Sequence, residues 1–157
     1  MAKPLTQSCE VKAPVSGRVL ALTKVADAAF STGALGKGAA VVPEQGEIVS
    51  PVNGRVEVVY ETKHAIGLVT DDGMELLIHI GMDTVNLGGK YFTAHVKDGD
   101  LVKEGQKLVS FDLEALQKEG YDVTTPVVVT NGAEYLDVIE TTQERVEAGE
   151  VLVTAVR

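Results

Sequence analysis

Residues 74–85 read MELLIHIGMDTV, and residues 62–67 upstream read TKHAIG. The longer run places an ionisable ring, His79, at the end of an aliphatic stretch typical of a strand, where burial alone would favour another valine or isoleucine. The turn sequence Asp71-Asp72-Gly73 between the two segments is typical of a β-hairpin. Such a hairpin would bring His79 close to His64 across its two antiparallel strands. The sequence therefore predicts a β-hairpin that carries a paired-histidine site.

The rest of the chain consists of short apolar runs separated by turn residues, with few helical periods. A Pro-Val-x-Gly-Arg-Val unit occurs at 14–19 and again at 51–56, where glycine would permit a tight turn before a strand. The best helical candidate is the segment 112–120, which has Asp112 as N-cap and Gly120 as C-terminal stop. These features predict an all-β fold, an antiparallel β-sandwich or flattened barrel with one or more short peripheral helices.

The composition indicates one domain. A chain of 157 residues of which 45% are hydrophobic can bury one sizeable core, and the aromatic content of 4% means that this core is mainly aliphatic. We therefore expect a single domain over residues 1–157, in which residues 1–10 form a flexible lead-in.

The charge and the cysteine content restrict the partners and the compartment. A formal net charge of -9 argues against nucleic acid and anionic membrane, whose phosphates would repel the surface. The single cysteine, Cys9, cannot form an internal disulfide, which suits a reducing compartment. No apolar run approaches the roughly 18 residues of a membrane span. We expect a cytoplasmic monomer without direct membrane insertion, which a larger transporter could still carry.

The residues around the two histidines are of the types that a nucleophilic imidazole needs. One ring nitrogen must be unprotonated at neutral pH while the other is held as an N–H donor, usually by a carbonyl. The backbone carbonyl of Gly81 could accept that hydrogen bond from His79. His64 could donate to the oxygens of an incoming phosphoryl group, and Thr62, two residues earlier, could fix the tautomer of His64. A dry apolar rim is expected around the site, formed by Ile66, Ile78, Ile80 and Met82, which would also face partner proteins.

These residues resemble a known family, the glucose-family enzyme IIA domain of the bacterial phosphoenolpyruvate:sugar phosphotransferase system. The resemblance rests first on the run His79-Ile80-Gly81-Met82-Asp83-Thr84-Val85 and on Thr62-Lys63-His64-Ala65. It covers nearly the whole chain, with further matches at 13–17, 27–30, 50–54 and 125–131.

The resemblance implies an antiparallel β-sandwich whose active face holds both histidines. By this analogy, His79 accepts a phosphoryl group on Nε2 from the phosphohistidine of the carrier protein HPr and passes it to a cysteine of a cognate IIB domain, which makes the chain a phosphotransferase of sugar uptake. His64 has the supporting role. Asp27 and Asp83 match acidic positions that would meet arginines of the partners, and Phe30 lies in a matched segment of the partner-binding face.

Two other classes of protein are possible alternatives. His64, His79 and Asp83 could form a metal site of a zinc hydrolase, although a His-x-His pair is absent. Zinc bridging by His64 and His79 at a protein interface also remains open, whereas the transfer itself requires no cofactor. The Gly turns are shared with lipoyl or biotinyl carrier domains, but no Met-Lys or Asp-Lys pair occurs at a hairpin tip. His95 has no recognisable polar partner and is expected to be an ordinary, partly exposed histidine.

Overall fold

The computed structural model describes residues 8–157, and most of its regular structure is β-strand. Two short α-helices are present in this part of the chain, α1 (Ala28–Ser31) and α2 (Leu113–Lys118). Short 3-10 turns cover Leu22–Lys24, Thr84–Leu87 and Gly132–Glu134. The strands are β1 (Ser8–Lys12), β2 (Gly17–Ala21), β3 (Lys37–Pro43), β4 (Glu47–Val49), β5 (Gly54–Val59), β6 (Ala65–Thr70), β7 (Glu75–His79), β8 (Phe92–Ala94), β9 (Leu101–Val102), β10 (Lys107–Phe111), β11 (Thr125–Val129), β12 (Asp137–Glu140), β13 (Arg145–Val146) and β14 (Val151–Val156).

These strands form one large sheet and two small ones. The large sheet has the order β13-β2-β3-β11-β7-β6-β5-β9, and the small sheets have the orders β1-β14-β12 and β4-β10-β8. Neighbouring strands are antiparallel in every sheet of the described chain. One main core takes buried residues from all three sheets, among them Val11, Ile48 and Ile78. The predicted antiparallel β-sandwich with short helices is confirmed.

Strand β7 has one face in the main core and one face outside it. Leu76 and Ile78 are buried in that core, whereas Leu77 and His79 are half-buried on the opposite face. A second apolar cluster lies against this outer face, where it packs on Leu77; its buried members are Leu22, Val25, Phe30, Ala40, Met82 and Val128. The period-2 alternation of a strand thus directs the side chain of His79 away from the main core and toward the second cluster.

The beginning of the chain differs from the prediction. Residues 1–7 lie outside the described part, but Ser8, Cys9 and Glu10 belong to β1 and pair with Val156, Ala155 and Thr154 of β14. The predicted lead-in of ten residues is therefore too long. A strand signal was present in the sequence, because apolar Cys9 and Val11 alternate with polar neighbours, but the partner strand β14 is distant in sequence and no local pattern specifies it.

The glycines of the repeated unit are required by close approach of the backbone. Neither Gly17 nor Gly54 has a positive φ. A Cβ atom at Gly17 would lie 1.9 Å from the carbonyl oxygen of Val42, and one at Gly54 would lie 2.2 Å from that of Val69. Each glycine thus lets the first residue of its strand lie close to the backbone of the neighbouring strand. The reason predicted for these glycines, a tight turn, is wrong.

The helix predicted at 112–120 is confirmed as α2. The side chain of Asp112 accepts a hydrogen bond from the backbone N–H of Ala115, and Leu116 is fully buried in the main core. No helix within residues 8–157 is both long and apolar enough to cross a bilayer.

Candidate functional site

The β6–β7 hairpin brings the two histidines together, as the sequence predicts. His79 at the end of β7 lies opposite Ala65 at the start of β6, and the backbone N–H of Ile80 donates to the carbonyl of His64 at 2.7 Å. The two imidazole rings are edge-on, with their centroids 4.8 Å apart and an angle of 84° between their planes. A group bound to one ring can therefore contact the other.

One hydrogen bond determines which nitrogen of His79 is free. The distance between Nδ1 of His79 and the carbonyl oxygen of Gly81 is 2.8 Å. Because a carbonyl can only accept, Nδ1 carries the proton, and Nε2 of the neutral ring keeps its lone pair. The φ of +77° at Gly81 belongs to the left-handed region that favours glycine, and this conformation directs the carbonyl toward the ring. The roles predicted for His79 and Gly81 are consistent with this geometry.

The second ring is held by Thr62. Oγ1 of Thr62 lies 2.5 Å from Nδ1 of His64. When this hydroxyl donates to Nδ1, the proton of the neutral ring is on Nε2, the nitrogen that can donate to a bound group. A tight loop positions both residues: Lys63 has a φ of +61°, and its N–H donates to the carbonyl of Tyr60 at 2.7 Å.

Both imidazoles are neutral at physiological pH. Desolvation by burial, followed by repulsion from His79, lowers the pKa of His64 from 6.5 to about 4. Burial likewise lowers the pKa of His79, and the hydrogen bond to Gly81 and the charges of Asp27 and Asp83 oppose that shift. A neutral His79 has a nucleophilic lone pair at neutral pH, which an imidazolium lacks.

The apolar surroundings of the site are not the predicted ones. Ile66, Ile78 and Ile80 are fully buried in the main core, so they cannot form a rim or contact a partner. The physical reason is alternation along the strand: Ile78 and Ile80 are the immediate neighbours of His79 and point to the opposite face. The ring of Phe30 lies edge-on to His79 at 5.1 Å between centroids, and it is 2% exposed.

Phe30 therefore supports the nucleophile from inside the protein, and the prediction that it contacts partners directly is wrong. Met82 is also buried, in the same second cluster as Phe30. The apolar environment of His79 is thus supplied by α1 and by the segment after β7.

The two predicted aspartates flank His79. The charges of both raise its pKa, which places both carboxylates near the ring. Asp27 also caps α1, because its Oδ1 accepts from the N–H of Ala29 at 2.8 Å. Asp83 is exposed, has a φ of +60° and makes no side-chain capping bond. Within the described chain, the carboxylate of Asp27 therefore stabilises a helix terminus, whereas that of Asp83 does not.

Sequence reasoning missed two exposed side chains beside the site. Tyr60 lies edge-on to His64 at 5.8 Å between ring centroids and is 42% exposed, and Val85, two residues after Asp83, is 49% exposed. Tyr60, Thr62 and His64 lie in the loop between β5 and β6, so the spacing of a strand face does not apply to them, and the contact of Tyr60 with His64 follows from the loop conformation. Tyr60, rather than a buried isoleucine, is the exposed ring that contacts the histidine pair, and Val85 is exposed in the 3-10 turn that follows β7.

The hydrolase alternative lacks its third ligand. Within residues 8–157, no three histidine, cysteine or acidic side chains are grouped closely enough to hold a metal ion. Asp83 thus does not complete a three-ligand site with His64 and His79. The third histidine, His95, is exposed, and its Nε2 lies 2.7 Å from Oγ of Ser110. Its expected lack of a polar partner is wrong, but it lies outside the paired-histidine site.

The lowered pKa of His64 predicts a loss of stability in acid. Below pH 6.5 the unfolded chain protonates this ring, whereas the folded protein keeps it neutral down to about pH 4. The unfolded state then binds more protons, so the free energy of unfolding falls by roughly 3 kcal/mol as pH falls through this window. Urea unfolding measured between pH 7 and pH 4 checks this prediction. The His64→Gln variant should lose less stability over the same interval, and equal losses in the two proteins would contradict it.

Comparisons with known proteins identify the family of the chain. Residues 9–135 match the family described as "phosphoenolpyruvate-dependent sugar phosphotransferase system, EIIA 1". The chain is 56% identical over 125 residues to a PTS system beta-glucoside-specific EIIBCA component of Bacillus subtilis, and the matched region covers 80% of this chain and 20% of that protein. It is 45% identical over 140 residues to a PTS system glucose-specific EIIA component of Oceanobacillus iheyensis, covering 89% and 85% of the two chains.

A solved structure has the same fold. The glucose permease IIA from Mycoplasma capricolum superposes with a TM-score of 0.85 at 34% identity, covering 94% of this chain and 96% of that one. The chain spans about a fifth of the length of the EIIBCA relatives. Taken together, the matched family, the EIIA relatives and the shared fold show that this chain belongs to the EIIA family of the phosphoenolpyruvate-dependent sugar phosphotransferase system, whose members are phosphotransferase components of sugar uptake.

Proposed function

We propose that this chain carries a phosphoryl group on Nε2 of His79, taking it from the phosphohistidine of HPr and delivering it to a cysteine of a cognate IIB domain. The observation that supports this most strongly is the hydrogen bond from Nδ1 of His79 to the carbonyl of Gly81, because it leaves Nε2 unprotonated beside the second imidazole. The chemistry belongs in the cytoplasm, where such carriers and thiols meet.

The transfer is a pair of substitutions at phosphorus. In the first, the lone pair of Nε2 attacks, the new N–P bond forms, and the N–P bond of the donor breaks, so that the donor nitrogen recovers its lone pair. The proton on Nδ1 of His79 stays in its bond to Gly81. In the second, a cysteine thiolate attacks, an S–P bond forms, and Nε2 recovers its lone pair. Because each bond broken is replaced by one formed, the protein contributes mainly positioning and charge stabilisation.

His64 stabilises the transferred group. Its ring is edge-on to His79 at 4.8 Å between centroids, so an N–H on its Nε2 is within reach of phosphoryl oxygens attached to His79. The hydroxyl of Thr62 keeps that proton on Nε2 by donating to Nδ1. A neutral donor suits a group that must also leave, because a fully charged ion pair would hold the phosphoryl group more tightly.

The partners dock on the face around the histidines. Asp27 and Asp83 supply negative charge there, and Tyr60 and Val85 supply exposed apolar surface. Complexes that form and dissociate in each turnover are expected to be small, under about 1,200 Å² in total. A monomer leaves this face free for two successive partners.

Neutralising Asp83 tests the contribution of charge to docking. Asp83→Asn should lower the rate of association with phospho-HPr roughly twofold to fivefold and flatten its dependence on salt, because one steering charge is removed. Asparagine tolerates the left-handed backbone at this position, so the fold should be retained. Stopped-flow association at several ionic strengths measures the effect. The control is Glu47→Gln, which removes one charge from an exposed position on β4 of another sheet; an equal effect of both variants would exclude local steering.

The direct test of the proposed function is phosphoryl acceptance. The protein is incubated with phosphoenolpyruvate, enzyme I and HPr, and its intact mass and phosphorus NMR spectrum are recorded. One acid-labile phosphoryl adduct is expected, and its absence would overturn the proposal.

We also propose that the transfer needs no metal, and that zinc would bind the histidine pair only when a partner supplies further ligands, since the described chain supplies two. Repeating the reaction with a chelator tests this second point.

A further inference from the structure

We infer that Thr84 is a positioning residue for His79, one that holds the Ile80–Gly81 turn so that the carbonyl of Gly81 accepts the hydrogen bond from the N–H of Nδ1. This inference rests on the proposed role of His79 as the phosphoryl acceptor. The hydroxyl of Thr84 bonds to the backbone rather than to an imidazole, so Thr84 would act on His79 through the Ile80–Gly81 peptide.

The hydroxyl of Thr84 is one of few buried polar groups near the site. The residue is 0% exposed, and its Oγ1 donates to the carbonyl of Ile80 at 2.5 Å. That carbonyl belongs to the peptide that joins Ile80 to Gly81. The bond therefore restrains rotation of the chain immediately before the Gly81 carbonyl, because turning this peptide would leave a buried hydroxyl and a carbonyl unpaired.

The methyl group of Thr84 restrains the same turn from a second direction. A Cβ atom at Gly81 would lie 2.7 Å from Cγ2 of Thr84 and 3.0 Å from the carbonyl oxygen of Asp122. That carbonyl also accepts from the N–H of Met82 at 2.8 Å. Gly81 is thus closely packed against Thr84 and Asp122 while its φ is +77°, so a change in the conformation of this turn would meet both neighbours.

The consequence for His79 follows from the chemistry of neutral imidazole. The two tautomers differ in which nitrogen carries the proton, and the hydrogen bond made by one nitrogen selects between them. If the Gly81 carbonyl turned away from Nδ1, the proton could occupy Nε2, and the nitrogen that must attack phosphorus would lose its lone pair. Thr84 would therefore influence the reaction by fixing a tautomer.

The test compares two substitutions at this position. Thr84→Val keeps the branched shape and removes the hydroxyl, whereas Thr84→Ser keeps the hydroxyl and removes the methyl group. Nitrogen-15 NMR of the imidazoles reports which nitrogen of His79 carries the proton, and the intact-mass assay reports acceptance. We expect Thr84→Val to shift His79 toward the Nε2-protonated form and to slow acceptance by roughly tenfold to a hundredfold, with Thr84→Ser restoring both.

The matched control is Ser50→Ala. Ser50 is 1% exposed, and its hydroxyl donates to the carbonyl of Val52 at 2.6 Å, after β4 of another sheet. This variant loses a comparable buried hydrogen bond and should leave the tautomer of His79 unchanged.

If Thr84→Val does not fold, Thr84→Ala takes its place. A variant at Thr84 that lacks the hydroxyl yet keeps the proton on Nδ1 and accepts as fast as Ser50→Ala would overturn the inference. Failure of the wild-type protein to accept a phosphoryl group would overturn the proposed function, while the tautomer spectra would still decide the role of Thr84.

Discussion

Replacing His79 by glutamine is expected to lower phosphoryl acceptance from phospho-HPr by about a thousandfold or more. The amide nitrogen of glutamine has no available lone pair, so no N–P bond can form at this position. The fold should be retained, because His79 is half-buried on the outer face of β7 and is absent from the main core. This is the largest effect that the structure predicts for one substitution.

The measurement is the intact mass after incubation with phosphoenolpyruvate, enzyme I and HPr. His95→Gln provides a matched control, because it makes the same substitution at an exposed histidine that bonds to Ser110 away from the site. Wild-type protein and His95→Gln should each gain one phosphoryl group, and His79→Gln should gain none. An adduct on His79→Gln at the normal rate would show that another residue is the acceptor.

Replacing His64 by glutamine is expected to separate acceptance from delivery. The amide can still donate to phosphoryl oxygens, so acceptance on His79 should remain possible. Delivery to the IIB cysteine should slow by about a hundredfold, because the amide lacks the bond between Nδ1 and Thr62 that orients the native ring. The structure supports this separation, since His79 is oriented by Gly81 and not by His64.

Single-turnover kinetics measure the second step. The variant is first phosphorylated and purified, then mixed with the IIB domain, and loss of the phosphoryl group is followed by rapid quench. His95→Gln is again the control and should deliver at the wild-type rate. Equal delivery rates for His64→Gln and the control would remove His64 from the catalytic machinery.

Much of the fold was predictable because it depends on local patterns. The hairpin of residues 65–79 follows from an apolar run, the turn Asp71-Asp72-Gly73 and a second apolar run. Helix α2 follows from its Asp112 cap and its leucine spacing. The order of the strands in the sheets was not predictable, because neighbours such as β3 and β11 are distant in sequence and pair through contacts that no local pattern specifies.

The histidine pair was likewise predictable, but its surroundings were only partly so. His79 and His64 were identified from residue type and from their places at the ends of paired strands. The three isoleucines were assigned to the surface because they lie next to the histidines in sequence. In a strand, sequence neighbours point to opposite faces, and Ile66, Ile78 and Ile80 are therefore in the core.

The sequence by itself determined the chemistry of the site: an imidazole at the end of an aliphatic strand, a second imidazole across a hairpin, and a glycine two residues after His79 whose carbonyl accepts a hydrogen bond from the ring. Only the tertiary structure decided the environment in which that chemistry occurs. Phe30 on α1 contacts His79 from a distant part of the chain, and Thr84 donates a hydrogen bond to the carbonyl of Ile80, directly before Gly81. Residue type and spacing specify which groups can react, whereas burial and hydrogen-bond direction depend on which surfaces meet when the sheets pack.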